Sequence, residues 1–317
     1  MDLLDSLNYV QREAVMHVDG PLLLFAGAGS GKTRTLTYRI AHMITQGINP
    51  FNILAITFTN KASREMRDRI NKIAESGQSV WVSTFHSTCV RLLRREIPLL
   101  GYGSGFSIFD AQDSERLIKE CIAEQNLDDK HFNPRNIANI ISSQKNELIN
   151  AEAYEYSSQS DYRASRISEV YSLYQERLKR CNALDFDDLI FKMVEVFESY
   201  PEVLTAYQNR FRYVMVDEYQ DTNTAQYRLV AMLSGYANNL CVVGDDDQSI
   251  YGWRGANIEN ILRFEQDFPN TRVIKLEQNY RSTKMILNIS NAVIKNNFNR
   301  TNKALWTENA EGGPVGG

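Results

Sequence analysis

The sequence predicts an α/β fold with a parallel sheet that is interrupted by an all-helical insertion. Short apolar runs alternate with longer stretches of helical periodicity near both ends of the chain, and this alternation is typical of parallel strands joined by helices. Between residues 110 and 183 the periodicity is helical throughout, and no strand pattern is visible. We therefore expect a discontinuous core domain of residues 1–109 and 184–283, an insertion of residues 110–183, and a helix and linker over residues 284–317.

The composition is that of an ordinary soluble protein, with 43% hydrophobic and 23% charged residues. The net charge of −4 excludes an overall basic field, so any contact with nucleic acid must come from a local groove. The four cysteines form no Cys-x-x-Cys pair, which argues against a zinc site or a disulfide framework and favours a reducing compartment. Because neither a secretory signal nor a bilayer-length apolar run is visible, we expect a cytoplasmic protein without a membrane partner.

The first predicted strand, Leu22–Phe25, leads through a loop of small residues into a helix that begins with Lys32 and Thr33. A phosphate-binding loop requires this order, because loop N–H groups and the helix N-terminus bind phosphate oxygens. Lys32 can reach the β- and γ-phosphates, and the Thr33 hydroxyl can bind Mg²⁺. A glycine-rich turn without a ligand is the alternative, since Ala26 stands where the strict pattern has glycine. The predicted nucleotide-binding residues here are Ala26, Gly27, Ala28, Gly29, Ser30, Gly31, Lys32, Thr33 and Arg34.

Two segments far apart in the sequence are predicted to contact the rest of the nucleotide. Gln11 lies on a short predicted helix before the loop, and its amide can pair with an adenine edge, although a solvated glutamine is the alternative. The last predicted strand, Val273–Leu276, is followed by Tyr280 and Arg281. Tyr280 can stack on adenine, and Arg281 can stabilise charge on the transferring phosphate.

An acidic pair follows the strand predicted at Tyr213–Val216. Asp217 can reach the Mg²⁺ that Thr33 also binds. Glu218 is placed to orient or deprotonate the attacking water. A strand-to-turn junction can carry Asp-Glu by chance, but a phosphate loop in the same chain favours the catalytic interpretation.

Aromatic and hydrogen-bonding residues follow three further predicted strands, Ile53–Thr57, Val80–Ser83 and Leu240–Val243. Open α/β sheets place ligands at the carboxyl ends of their strands, and an aromatic ring can stack on a base while its neighbours hold phosphates. The predicted nucleic-acid contacts are Phe58, Thr59, Asn60, Lys61, Thr84, Phe85, His86, Tyr251, Trp253 and Arg254, and Gln248 is predicted to touch the γ-phosphate or the water. Packing of Phe58 and Trp253 in the core, with Thr59 to Lys61 as a helix cap, is the alternative.

Three smaller predictions concern residues outside these segments. His86 has no second ligand at metal spacing, so we expect a packed or phosphate-contacting histidine. Glu152 to Asp161 is polar and is expected to be a loop. The acidic run Asp185 to Asp188 resembles a metal site, but a helix cap explains it better.

With these segments assembled, the chain resembles the N-terminal part of superfamily 1 DNA helicases of the UvrD/Rep/PcrA type. The matching segments, in the order of that family, are the one around Gln11 and residues 26–33, 57–65, 83–87, 216–222, 243–256 and 278–282. The resemblance covers essentially the whole chain, and the family has alanine at position 26. It implies a RecA-like P-loop NTPase domain, ATP and Mg²⁺ as cofactors, and 3′→5′ movement on single-stranded DNA.

The same resemblance implies further partners. These are single-stranded DNA, junctions between single- and double-stranded DNA, a second RecA-like domain of the same polypeptide, and repair or replication proteins. We expect the chain alone to bind nucleotide but to hydrolyse it poorly. The alternatives are a helicase subunit of a helicase–nuclease, a P-loop kinase-type phosphotransferase, and a docking module with a vestigial ATP site.

Overall fold

The fold is taken from a computed structural model that describes residues 3–128, 130–235, 238–297, 301 and 303–313. Its strands are β1 Leu22–Ala26, β2 Ile53–Thr57, β3 Trp81–Thr84, β4 Ser107–Ile108, β5 Ala183–Leu184, β6 Tyr213–Val216, β7 Leu240–Gly244 and β8 Arg272–Leu276. Its helices are α1 Tyr9–Met16, α2 Lys32–Thr45, α3 Asn60–Ile73, α4 Phe85–Glu96, α5 Ala111–Glu124, α6 Pro134–Asn146, α7 Ala151–Ser158, α8 Tyr162–Arg180, α9 Phe186–Ser199, α10 Pro201–Arg210, α11 Thr224–Ser234, α12 Glu259–Leu262, α13 Phe264–Asp267 and α14 Lys284–Ile294. Within these residues, no helix combines the length and apolarity that a membrane crossing demands.

Six strands form one parallel sheet in the order β3-β2-β6-β7-β1-β8. Next to the edge strand β8, Leu24 of β1 lies opposite Val243 of β7 on one side and Ile274 of β8 on the other. The inner strands β1, β2, β6 and β7 are mainly apolar and buried, as expected when helices cover both faces of a parallel sheet. The α/β fold class predicted from the sequence is therefore confirmed. Because every strand points the same way, all six carboxyl ends lie along one edge of the sheet.

The chain divides into two compact units. The first contains residues 1–84, 205–222 and 230–317, and it holds the six-stranded sheet. The second contains residues 85–204 and 223–229. Helices α1, α2 and α3 pack on one face of the sheet and supply a core of the first unit, in which Ala14, Leu36, Ile40, Met43, Met66 and Ile70 pack against Leu22, Leu24, Ala55, Met215 and Val243.

The second unit is helical apart from the two-residue pair β4 and β5. Its core includes Ile118, Ile122, Ile137, Ile141, Ile167, Val170, Tyr171, Tyr174 and Leu178. The predicted loop at Glu152 to Asp161 is wrong, because most of it is helix α7. Asn150 caps this helix by accepting a hydrogen bond from the N–H of Ala153, at 2.8 Å, and Tyr154 packs against the core.

The acidic run before α9 caps that helix, as predicted. Asp185 accepts a hydrogen bond from the N–H of Asp188 at 2.8 Å, and the Asp188 side chain accepts one from the N–H of Asp185. The ammonium of Lys145 is buried between the two carboxylates, 2.6 Å from Asp185 and 2.9 Å from Asp188. Asp185 also accepts a hydrogen bond from the hydroxyl of Tyr174. These carboxylates therefore hold a lysine side chain in place.

Candidate functional site

The loop between β1 and α2 has two positions at which the backbone requires glycine. Gly29 and Gly31 have φ angles of +71° and +86°, in the left-handed region. A Cβ at Gly29 would lie 2.7 Å from the side-chain amide nitrogen of Asn279. A Cβ at Gly31 would lie 2.8 Å from the side-chain amide nitrogen of Gln11. The loop therefore curls toward the N-terminus of α2 and keeps its backbone free of side chains, as phosphate binding requires.

The acidic pair that follows β6 faces this loop. The ammonium of Lys32 lies 2.7 Å from an oxygen of Glu218, and the hydroxyl of Thr33 donates to Asp217 over 3.4 Å. Glu218 occupies the left-handed region, with φ of +51°, directly after the strand. The structure thus brings together four of the residues predicted to handle the phosphates, the metal ion and the water.

The electrostatics of Asp217 suit a cation. Its side chain is buried, and that burial, together with the charge of Glu218, raises the pKa of Asp217 to about 6 against the opposing effect of Lys32. A buried carboxylate with a raised pKa gains from a nearby positive charge. The Asp217 carboxylate and the Thr33 hydroxyl are oxygen ligands of the kind that Mg²⁺ prefers. The residues present therefore fit a magnesium ion.

Gln220 connects this acidic pair to the turn after β7. Its side chain is buried, its amide nitrogen donates to Glu218 at 3.0 Å, and its amide oxygen accepts from the N–H of Asp245 at 2.9 Å. The amide of the predicted site residue Gln248 donates to the carboxylate of Asp245. Gln220 lies within a segment that the sequence singled out, but nothing in the local pattern indicated its role.

Gln11 and Tyr280 both contact the loop. Gln11 is buried, and its amide donates to the carbonyl of Ser30 at 3.0 Å. The N–H of Tyr280 donates to the carbonyl of Gly29, also at 3.0 Å. The side chain of Asn8 donates to the hydroxyl of Tyr280 at 2.7 Å. The residues predicted to contact adenine are therefore gathered on one side of the loop, with the ring of Tyr280 half exposed.

The two arginines predicted to contact the nucleotide lie in different environments. Arg281 is exposed, and its Cβ lies 2.8 Å from where a Cβ of Gly29 would be. Arg34 instead donates to the carbonyl of Ser6 at 2.8 Å, and its guanidinium lies over the ring of Tyr38. The guanidinium of Arg34 is therefore engaged by Ser6 and Tyr38 in this arrangement.

In the first unit, the predicted nucleic-acid contacts follow the carboxyl ends of β2 and β7. Thr59 caps α3 by accepting from the N–H of Ala62, which matches part of the capping alternative. Phe58 is half-buried, whereas Asn60 and Lys61 are exposed. Trp253 is 75% exposed, so packing of this ring in the core is not what the structure shows. Tyr251 lies with its ring centre 6.4 Å from that of Trp253, and the side chain of Arg254 lies outside the described residues.

The remaining predicted contacts flank the start of α4. Thr84 ends β3 and is buried. Phe85 is only 1% exposed, so its ring is not available for stacking on a base. His86 lies edge-on to Phe186, and burial lowers the pKa of His86, so the imidazole is neutral at pH 7. The half-exposed ring of Phe186 is an aromatic that the sequence did not single out, because it lies inside the acidic capping run.

A segment near the C-terminus packs onto the site. Helix α14 ends at Ile294. Farther along, the N–H of Asn279 donates to the carbonyl of Trp306 at 2.7 Å, and a side chain at Gly27 would clash with Leu305. The ammonium of Lys303 lies among the carboxylates of the turn after β7. The sequence indicated only a linker here.

Comparison with known proteins identifies related sequences. A family model described as the UvrD/REP helicase N-terminal domain matches residues 7–269, and one described as the UvrD-like helicase C-terminal domain matches residues 274–316. Over 98% of its length the chain is 56% identical to the ATP-dependent DNA helicase PcrA of Bacillus subtilis (strain 168), and it covers 42% of that protein. It is 53% identical over 98% of its length to the PcrA helicase of Staphylococcus aureus (strain Mu50), and it covers 43% of that relative. The chain thus spans less than half the length of these relatives.

Proposed function

The chain belongs to the UvrD/REP helicase family, and from that membership we propose that it is the ATP-binding part of an ATP-dependent 3′→5′ DNA helicase. The observation that carries the proposal is the contact of the phosphate loop with the acidic pair, through Lys32 and Glu218 at 2.7 Å and Thr33 and Asp217 at 3.4 Å. A cation and a hydroxyl on one side, opposed by two carboxylates on the other, form the constellation that phosphoryl transfer needs.

We propose the following roles at the phosphates. Amide groups of residues 27–31 bind phosphate oxygens, and Lys32 leaves Glu218 to pair with the β- and γ-phosphates. Thr33 and Asp217 hold Mg²⁺, which when bound neutralises phosphate charge. Glu218, once released from Lys32, orients the attacking water and accepts its proton.

The remaining ATP contacts lie around the loop. Tyr280 stacks on adenine, while Gln11 both supports the loop through Ser30 and reads the base. Arg281 stabilises the charge that develops on the γ-phosphate, and the side chain of Gln248 contacts that phosphate. The hydrogen bonds that connect Gln248 to Glu218 through Asp245 and Gln220 support this last role.

Single-stranded DNA is the proposed nucleic-acid substrate. Phe58 and Trp253 offer rings to bases, and Asn60, Lys61 and Thr59 offer groups to phosphates. The 75% exposure of Trp253 supports this, because stacking on a base would remove an exposed indole ring from water, which is favourable. Junctions between single- and double-stranded DNA are then the sites of action.

The wider setting is also proposed from family membership. We place a second RecA-like domain later in the same polypeptide, because the relatives are more than twice as long as this chain. Residues 110–183, within the helical unit, are proposed to be an insertion into the first domain. The protein would act in the cytoplasm on repair or replication intermediates, together with proteins of those processes.

Strand displacement tests the proposal directly. The full-length protein is given ATP, Mg²⁺ and a duplex that carries either a 3′ or a 5′ single-stranded tail. We expect displacement of the 3′-tailed duplex only, and its loss in Lys32→Ala but not in Lys72→Ala, which removes an exposed lysine of α3. Equal displacement of both duplexes would contradict the polarity, and none at all would contradict the helicase function.

A further inference from the structure

Lys303 is a buried lysine whose ammonium is surrounded by three consecutive aspartates. It lies 2.6 Å from an oxygen of Asp245, 3.0 Å from one of Asp247, and in contact with Asp246. The lysine side chain is only 3% exposed. Burial by itself lowers the pKa of Lys303, but the charges and hydrogen bonds of Asp245 and Asp246 outweigh it and raise that pKa. The ammonium is therefore charged at neutral pH.

The turn Asp245–Asp247 needs a positive charge. Oxygen atoms of its three carboxylates lie within 4.8 Å of one another, the spacing that would suit a metal ion. Like charges this close repel strongly at a site removed from water. Lys303 places a cation among them from a segment far along the chain. Thr301 adds hydrogen bonds from its N–H and hydroxyl to Asp246.

Hydrogen bonds link Asp245 to Gln248 and, through Gln220, to Glu218. Besides Lys303, its carboxylate accepts a hydrogen bond from the amide of Gln248. Its N–H donates to Gln220 at 2.9 Å, and Gln220 in turn donates to Glu218 at 3.0 Å. A continuous set of hydrogen bonds therefore runs from Lys303 to both Gln248 and Glu218.

The segment that carries Lys303 is itself anchored to the phosphate loop. The hydroxyl of Thr307 donates to the backbone carbonyl of Asn279 at 2.7 Å. The side-chain amide of Asn279 donates to the backbone carbonyl of Ala28 at 2.6 Å. Leu305 lies against Gly27. These contacts fix the backbone after the lysine, and the hydrogen bonds of Thr301 to Asp246 fix it before the lysine. The ammonium is therefore held at a defined point relative to the loop.

We propose that Lys303 is the internal counter-cation of the turn Asp245–Asp247 and, through Asp245, a positioning residue for Gln248. The ammonium orients the Asp245 carboxylate, and that carboxylate holds the Gln248 amide. The counter-cation role stands on the contacts alone. The positioning role rests on the function proposed above, because it concerns ATP hydrolysis.

Cation binding tests the first role without any need for hydrolysis. Mn²⁺ bound to the nucleotide-free protein is counted by electron paramagnetic resonance in the wild type, in Lys303→Met, and in Lys295→Met as a matched exposed lysine. We expect Lys303→Met to bind one additional Mn²⁺, because its three carboxylates are left without their cation. Adding Asp247→Asn to this variant should remove the additional site. Equal Mn²⁺ counts in Lys303→Met and the wild type would overturn the counter-cation role, whether or not the protein proves to be a helicase.

Steady-state kinetics of the full-length protein test the second role. In Lys303→Met, kcat for ATP should fall by between about tenfold and about a hundredfold as Gln248 loses its orientation. The KM for ATP should stay within about twofold of the wild type, since the phosphate loop is unchanged. Added Mn²⁺ should restore part of kcat by taking the place of the ammonium. A wild-type kcat in Lys303→Met would overturn the positioning role.

Folding of the variant is controlled by a second substitution. The double variant Asp246→Asn, Lys303→Met has the same net charge on the turn as the wild type, so repulsion does not unfold it. If Lys303→Met alone fails to fold, the kinetic test is read in this double variant. The same loss of kcat is expected there, because Asp245 still lacks the ammonium, and a wild-type kcat would again overturn the positioning role.

Discussion

The ammonium of Lys32 and the carboxylate of Glu218 lie 2.7 Å apart and form an ion pair between the phosphate loop and the end of β6. Both groups are needed elsewhere in the proposed reaction, the lysine by the phosphates and the carboxylate by the water. The pair therefore occupies each group until a triphosphate competes for Lys32. The Lys32 side chain is 11% exposed and that of Glu218 is 37% exposed, so the phosphates can approach from solvent.

Glu218→Gln should separate binding from hydrolysis. We expect hydrolysis to fall by about 10²–10⁴-fold, because the amide cannot accept the proton of the water. Affinity for ATP should be unchanged or higher by up to about fivefold, since an ion pair of this exposure is worth at most about 1 kcal/mol. A fluorescent ATP analogue measures binding, and Glu265→Gln, on the exposed face of α13, is the control. Unaltered hydrolysis in Glu218→Gln would remove this residue from the reaction.

Trp253→Ala should weaken DNA binding selectively. A stacked aromatic contributes about 1–3 kcal/mol per base, so the Kd for oligo-dT should rise by about fivefold or more. Affinity for ATP should not change. Fluorescence anisotropy of a labelled oligo-dT gives the Kd, and Phe51→Ala is a matched control, because that exposed ring precedes β2 at the opposite edge of the sheet.

The same assay tests for phosphate contacts. The logarithm of the binding constant should fall with the logarithm of salt concentration, with a slope of about −0.7 for each phosphate neutralised on a single strand. Lys61→Met should make that slope less steep, because one contact with a phosphate is lost. A binding constant that ignores salt would argue against a groove that follows the DNA backbone.

Lys145→Met should destabilise the helical unit. The buried carboxylates of Asp185 and Asp188 would lose the ammonium that lies between them, and breaking such a pair costs about 3–5 kcal/mol. Thermal or urea unfolding of the chain measures the change, with Lys119→Met on the exposed face of α5 as the control. Equal unfolding midpoints for the two variants would show that the buried pair contributes nothing to stability.

Asp187→Asn should stabilise the protein in a pH-dependent way. Burial and the charge of Asp185 raise the pKa of Asp187 to about 6 in the folded protein. The folded state therefore binds this proton more tightly than the unfolded state, and the stability due to Asp187 declines as pH rises from about 4 to about 6. Above pH 6 the variant should gain about 2–3 kcal/mol, and at pH 4 it should nearly match the wild type. A gain that is the same at both pH values would contradict this origin.

The strands of the large sheet were predictable because their signal is local. Each is a short apolar run bounded by turn residues, and Ile53–Thr57 and Tyr213–Val216 were predicted with the bounds that the structure has. The phosphate loop was readable for the same reason, since its backbone conformation demands small residues in a fixed order. Helix α7 was missed because its few apolar residues show no stripe, and packing of Tyr154 on the core decides its conformation.

Contacts between distant residues left no trace in the sequence. Lys145 lies 40 positions before Asp185, and Lys303 lies 57 positions after Asp246. From the sequence alone a lysine is expected on the surface, because the carboxylates that surround it in the fold come from distant segments. Likewise, Phe58 and Phe85 both follow a strand end, yet only Phe85 is fully buried. Local sequence around the two rings is too similar to distinguish these outcomes.

In the proposed helicase, DNA binding stimulates ATP hydrolysis, and a titration of poly-dT into an ATPase assay of the full-length protein measures this coupling. We expect hydrolysis to rise with poly-dT until the DNA site is saturated, and Lys32→Ala to abolish both the basal and the stimulated rate. Hydrolysis that is the same with and without poly-dT, or that survives in a folded Lys32→Ala variant, would contradict it.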